Sequence, residues 1–457
     1  MMNKRAVIVT DMGYGDAGKG TMVDYLVRQA KSAVVIRHNG GAQAAHNVVT
    51  QDGRHHTFAQ FGSGTFVPGV NTYLSRYMLV NPLNMFPEAE HLIELGITDA
   101  WERVSIDRDA LVITPWQSTA NRIRELARGE DRHGSCGQGI GETMSDTLEN
   151  PDVVLRVRDL EAPSLVIKLE ALRDYKQLQL RQELGDDITL QPDWQAFTDP
   201  RLVEKLVEVY RAWVQKVNIV DSDYLAYVSR RNELLVFEGA QGALLDEWQG
   251  FHPYTTWSTT THANALQLLS EISFGGECTR LGVLRAYTTR HGAGPLVTED
   301  KALAPRLKEY HNTTDTWQGA FRYGHFDAVA HRYALAMCGE TDELAITGLD
   351  RLSALDAWQV CTHYRTEMDR QAGGEFFEYC FDRTVGDINL GVRGDLVYQT
   401  RLTNLLATCS PIYQAMRGHD QGSISDFLQL LQSQLRAPIT ITSFGPTAAD
   451  KRVNLVR

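Results

Sequence analysis

The stretch Asp11-Met-Gly-Tyr-Gly-Asp-Ala-Gly-Lys-Gly-Thr21 has the residue types and spacing for phosphate chemistry. Its frame Gly13-x4-Gly18-Lys19 fits the first part of a Walker A loop. In such a loop backbone N–H groups and a helix N-terminus face phosphate oxygens, with the lysine as a mobile cation. This chain departs from the frame twice. Gly20 stands where Ser or Thr would hold magnesium, and Asp16 puts a carboxylate where an anionic ligand would sit. That placement is unfavourable unless the acid binds the metal or serves as a base. The loop therefore joins phosphate handling to proton chemistry.

The surrounding pattern suits such a loop. Ala6–Thr10 is a β-rich apolar run of the kind that forms a buried parallel strand, and Met22, Val23, Tyr25, Leu26 and Val27 fit the helix after the loop. Ser32–Arg37 is a second strand candidate, and Pro87–Leu95 reads as a helix closed by Gly96. From about 117 to 227 the composition turns charged and amphipathic, which predicts a mainly helical insertion. Within it Asp199 is the expected N-cap and Pro200 the first helical residue of a helix through Val217. Strand candidates at Leu235–Phe237, Leu281–Tyr287 and Leu344–Thr347 each end in a turn of small or polar residues. In an open parallel sheet such turns gather at the ligand-binding edge. The expected architecture is one α/β domain over 1–457, a P-loop-NTPase-like mainly parallel sheet flanked by helices.

Bulk properties narrow the partners. A net charge of −12 over 457 residues argues against a nucleic-acid surface. No apolar run has the length of a membrane span, and Met1–Val7 leads into a strand rather than a signal peptide. The six cysteines lack paired metal spacing and read as free thiols of a reducing compartment, so the expected location is cytoplasmic.

Several segments in order resemble the adenylosuccinate synthetase family. They are Gly15–Gly20, Gly40-Gly-Ala-Gln-Ala-Ala-His46, Phe237-Glu-Gly-Ala-Gln-Gly242, Arg285-Ala-Tyr-Thr-Thr-Arg290, Gly292-Ala-Gly-Pro295, Phe326-Asp-Ala-Val329 and Ser443-Phe-Gly-Pro446. The resemblance implies a homodimeric, GTP-dependent ligase that phosphorylates the 6-oxygen of IMP and then replaces the phosphate with aspartate. Removing the N1 proton makes O6 a nucleophile for the γ-phosphorus. By resemblance Asp16 is the base and a magnesium ligand, with the backbone of Ala45 as a second ligand, and His46 is the acid facing the transferred phosphoryl group. The implied nucleotide contacts are Gly15, Asp16, Ala17, Gly18, Lys19, Gly20, Thr21, Ala45, His46, Asn47, Arg322, Gly348, Leu349, Asp350, Ser443, Phe444 and Gly445. Asp350 suits guanine N1 and its amino group; Gly348 replaces the lysine of the family's Lys-Leu-Asp signature, which keeps ATP as the alternative to GTP.

The implied purine contacts are Asp16, Lys19, Gln43, Ala44, Cys136, Gln241 and Thr256. Here Gln43 and Cys136 replace the family's Asn and Thr at the 5′-phosphate. The family's cross-subunit arginine falls near Asn150, with Arg156 or Arg158 as the substitute charge. The implied amine-donor loop, Thr316, Trp317, Gln318, Gly319, Ala320, Phe321 and Arg322, has Ala320 where the family uses an arginine for aspartate and the ribose. Charged Arg–carboxylate bonds contribute roughly 1.5–3 kcal/mol each, so Ala320 weakens the match to aspartate. A viral branch that acts on dGMP has Ser in place of the loop acid, whereas this chain keeps Asp16. Three functions stay open. One is the IMP–aspartate ligase, the second a ligase of the same mechanism with another donor or purine, and the third a non-catalytic nucleotide-binding regulator.

Overall fold

The computed structural model describes residues 4–129, 132–307, 309, 317–416 and 421–454, with the side chain of 421 excepted. Among the described residues ten strands form one sheet in the order 218–220, 104–107, 71–74, 33–37, 234–238, 5–11, 277–285, 343–347, 439–443, 451–453. Every neighbouring pair is parallel except the last. Arg5–Asp11 (β1) is central, and its apolar run is buried on both faces, as parallel strands require. Alternation along it assigns the faces. Val7 and Val9 pack with Met22, Val23 and Val27 of the helix Lys19–Arg28 (α1), while Ala6 and Ile8 pack with Leu225, Val228, Ala265 and Leu268 on the other side.

Between the strands 104–107 and 218–220 lie helices Pro115–Ala127, Ile140–Glu149, Leu165–Leu184 and Leu202–Val214. They share one core with Val104, Ile106 and the helix Pro82–Glu94, centred on Trp116, Tyr210 and Trp213. The region 117–227 also holds the short strands Leu155–Arg156 and Asn218–Val220, the second of which forms a sheet edge.

Two helix starts differ from expectation. The helix expected at Pro87 begins at Pro82, because Asn81 accepts a hydrogen bond from the Asn84 amide and Pro82 opens the first turn; Pro87 is interior. The helix expected at Pro200 begins at Leu202. Asp199 binds the amide of Arg201 instead, at 2.9 Å, in a preceding turn.

A second sheet, not anticipated from the sequence, pairs Phe326–Asp327, Trp358–Arg365, Thr384–Ile388 and Phe377–Phe381, with Ser410–Met416 on Trp358–Arg365. Its core is continuous with Met12, Tyr14 and Leu284 beneath the phosphate loop. The loop is also fixed by backbone contact. A Cβ on Gly242 would lie 2.3 Å from the Gly13 carbonyl oxygen and 2.3 Å from the Gly15 nitrogen, so only glycine fits there.

Three histidines are buried around the loop edge of the sheet. His38 follows the strand 33–37, His262 bonds Thr10 at 3.0 Å, and His331 donates from Nδ1 to the Met12 carbonyl at 2.9 Å. Burial is the main cause that pushes their pKa values down from 6.5, to about 3, about 4 and about 4. Below pH 6.5 the unfolded chain binds these protons and the folded chain does not, so stability falls with pH. The slope is roughly 1.4 kcal/mol per pH unit per group, about 4 kcal/mol per unit for the three together. We predict a lower urea midpoint at pH 5.5 than at pH 7.5; equal midpoints would show that these rings are not held neutral.

Candidate active site

Asp11, at the carboxyl end of β1, organises the phosphate loop. Its buried carboxylate accepts from the amides of Gly13 (2.9 Å), Gly15 (3.3 Å) and Ala17 (2.9 Å) and from Lys19 Nζ (3.1 Å). Lys19, expected as a mobile cation, is 3% exposed and also donates to the Gln241 carbonyl at 2.6 Å. A buried ammonium needs such partners, which accounts for its fixed position. Gly18 enters α1 in the left-handed region, with φ 93°.

Asp16 projects from the same loop at φ 58°, a conformation that Asp tolerates better than most side chains. Its Oδ2 lies 3.3 Å from His291 Nε2, and its backbone carbonyl accepts from Arg285. Burial opposes its charge. The hydrogen bond and charge of His291, followed by Arg285 and Lys19, outweigh that cost and hold the carboxyl below its ordinary value. Asp16 is therefore an anion at neutral pH.

His46 stands behind Gly20. A Cβ on Gly20 would lie 2.8 Å from that of His46, so the missing side chain is what admits the imidazole. His46 Nδ1 donates to Glu238 at 2.6 Å, and Glu238 also accepts from the amide and hydroxyl of Ser63. Burial works against the Glu238 charge, but the hydrogen bond from His46, then the Arg37 charge and the Ser63 hydroxyl, hold its carboxyl below the usual carboxylate range. Burial lowers the His46 pKa by more than Glu238 raises it. The pair is a neutral imidazole with Nδ1–H on a carboxylate, leaving Nε2 for the site.

The segments expected to contact the nucleotide adjoin the loop. Thr347 Oγ1 donates to the Ala17 carbonyl at 2.6 Å, which brings Gly348, Leu349 and Asp350 beside it; Asp350 pairs with Arg351 at 3.3 Å. Thr21 Oγ1 donates to Pro446 at 2.6 Å and accepts from Lys451 Nζ at 2.5 Å, and Ser443 bonds the Gly445 carbonyl. These bonds seat Ser443, Phe444 and Gly445 next to the first turn of α1.

Of the residues expected at the purine, Gln43 and Gln241 carry buried amide atoms with no partner among the described residues. Both amides would lie within 3.2 Å of a Cβ added in the Gly40–Gly41 turn. Ala44 is buried beside them and Thr256 half-buried. The loop holding Cys136 meets the donor loop, since a Cβ on Gly134 would sit 3.3 Å from the Gln318 carbonyl.

Other expected residues are engaged elsewhere. Arg322, expected at the nucleotide, bonds Glu299 and the carbonyls of Gly292 and Gly294 and so braces the donor loop. The Asn47 side chain accepts from His55 and Thr57 within its hairpin. Arg156 donates to the Asp109 backbone carbonyl and Arg158 to the Asp109 carboxylate. Thr316 lies outside the described residues.

Comparison with known proteins decides the family. The family model described as adenylosuccinate synthetase matches residues 8–451. The chain belongs to the adenylosuccinate synthetase family. The enzyme of that name from Synechococcus sp. strain WH7803 is 31% identical, covering 96% of this chain and 94% of its own length. The one from Gloeothece citriformis is 30% identical, over 96% and 92%. Among solved structures, fully ligated adenylosuccinate synthetase from Plasmodium falciparum aligns with a TM-score of 0.75 at 20% identity, covering 98% and 99%. Succinoaminodeoxyadenylate synthetase of cyanophage S-2L, bound to dGMP and dATP as an energy donor, aligns with a TM-score of 0.58 at 17% identity, covering 98% and 95%. Both structures share the fold of a large, mainly parallel sheet flanked by helices.

Family membership makes this chain one of the adenylosuccinate synthetase-type C–N ligases. Among the described residues no group of three His, Cys, Asp or Glu side chains forms a metal cluster, and no helix is long and apolar enough to cross a membrane. One carboxylate, Asp16, and the exposed backbone at Ala45 fit a hard cation that takes its remaining ligands from phosphates and water, as magnesium does. Sequence reasoning passed over Asp11 and His291. An acid ending a buried strand beside a glycine loop was the available signal for Asp11. His291 gave none, because only folding brings the strand Thr288–His291 against Asp16.

Glu238→Gln tests the imidazole arrangement. Losing the charge that fixes the Nδ1–H tautomer is expected to lower the ligation kcat by about 100-fold with a smaller change in KM. Steady-state kinetics beside a thermal melt would check it, and wild-type kcat in a folded variant would remove Glu238 from the site.

Proposed function

We propose that the protein is a GTP-dependent ligase that phosphorylates O6 of a 6-oxopurine nucleotide, by default IMP, and replaces the phosphate with an amine, by default L-aspartate. The observation that carries this reading is an ionised Asp16 on the phosphate loop and a neutral His46 packed against Gly20 at its end, both within the field of Lys19. Asp16 takes the N1 proton, and O6 then attacks the γ-phosphorus as the bond to the nucleoside diphosphate breaks. His46 Nε2 faces the transferred group; the negative charge arriving there raises its basicity, so that it takes up a proton from solvent and donates a hydrogen bond to the phosphoryl oxygen. Attack of the amine nitrogen on C6 expels phosphate and restores the purine ring. Magnesium, held by Asp16 and the Ala45 carbonyl, would screen the phosphate charges. Asp350 supports guanine as the base, whereas the cyanophage relative was solved with dATP. The family supports a homodimer and a cytoplasmic setting.

One feature favours a second reading, in which the donor is not aspartate. The Phe321 ring sits 4.6 Å from His291, and Ala320 adds no charge, so rings border Asp16 where an arginine-bearing loop is expected.

Incubation of the protein with magnesium, IMP, GTP or ATP and a panel of amino acids, read by mass spectrometry, separates the readings. The aspartate adduct is expected under the first, and purine-dependent phosphate release without it under the second. Asp16→Ala is expected to lower turnover at least 1000-fold in either case. Turnover surviving in that variant would show the base to be elsewhere.

A further inference from the structure

On the helix Pro115–Ala127, Ser118 and Arg122 share a face at i, i+4 spacing and hold successive carbonyls of the loop beside Cys136. Ser118 Oγ donates to Gln138 at 2.9 Å, and Arg122 Nε donates to Gly137 at 3.3 Å. Of the helix's neighbouring arginines, Arg124 meets Glu142 and Glu183 and Arg128 meets Glu125, while Arg132 in the loop beyond has a buried Nε without a partner among the described residues. Arg122 has no carboxylate partner among the described residues, and its two Nη groups form no hydrogen bond there. The Trp317 ring lies 5.7 Å from its guanidinium carbon. A Cβ on Gly137 would touch Arg122 and Trp317 alike, at 3.4 Å. The guanidinium is thus anchored by Nε, flanked by an indole, and left with its Nη edge open.

An unpartnered amide belongs to the same neighbourhood. Gln43 is half-buried with both amide atoms shielded from water, beside the Gly41 turn, and Gly41 in turn abuts Ile140. Ile140 opens the helix that follows Gly137 and Gln138. A guanidinium edge together with a primary amide recognises a phosphate through charged and neutral N–H donors. Cys136, next to Gly137 in the chain, contributes little as a donor.

Resting on the ligase reading above, we propose that Arg122 binds the 5′-phosphate of the purine substrate, so that this cation comes from the chain's own helix. Stacking on Trp317 then joins the phosphate end of the purine pocket to the amine-donor loop. The purine substrate is accordingly a nucleotide rather than a nucleoside.

The test compares IMP with inosine by calorimetry on the full chain, in wild type, Arg122→Gln and Arg122→Lys. Arg122→Gln is expected to weaken IMP binding by about 10- to 100-fold, leave inosine binding unchanged and remove most of the preference for IMP. Arg122→Lys is expected to retain part of that preference, because it keeps the charge. Equal losses for IMP and inosine would assign Arg122 a structural role and overturn the proposal. Unchanged IMP binding would overturn it too, as would a loss confined to the amino-acid KM, which would put the donor's carboxylate on Arg122. If the discrimination depends on Arg122 but wild type releases no phosphate from GTP with any purine, the phosphate site stands and the ligase reading falls.

Discussion

The site depends on the way Asp11 is satisfied. A carboxylate ending a central strand, buried and ringed by three loop amides and a lysine, is stable only while the loop keeps its curvature. Charge-assisted hydrogen bonds to a buried acid are strong, and losing any one leaves polar groups unpaired in a dry setting. The loop is therefore preformed. Its curvature sends Asp16 outward at positive φ and leaves room for His46 behind Gly20.

From that frame follows the division of charge. Asp16 and Glu238 both stay ionised against burial, the first through His291, Arg285 and Lys19, the second through His46, Arg37 and Ser63. His46 and the deeper histidines stay neutral because burial outweighs their acidic neighbours. Groups of opposite behaviour so close together are a common sign of assigned acid and base roles.

Much of the α/β frame was legible because its strands are short apolar runs ending in small-residue turns. β1, 33–37, 234–238 and 343–347 all fall where those runs do. Helix starts were less so, since the choice among several Pro and Asp candidates rests on which amide a cap reaches, as Asn81 shows. The second sheet escaped because its central strand Trp358–Arg365 finds its partners far along the chain, as Trp358 does opposite Met416. In the candidate site, residues of contiguous motifs stood out in the sequence, and those brought alongside by folding did not. Asp16 and His46 belong to contiguous motifs. His291 and Arg122 gain their neighbours from loops more than a hundred residues away.

The contact of Gly242 with the phosphate loop has a further consequence. No side chain separates the backbone that carries Gln241 from the backbone that carries Gly13 and Gly15. The spacing between these two segments is thus set by main chain against main chain. Side chains such as Cys136, Ala320 or Phe321 can then change without moving one backbone segment against the other. Whatever the neighbouring pockets accept, the frame beneath them keeps one dimension.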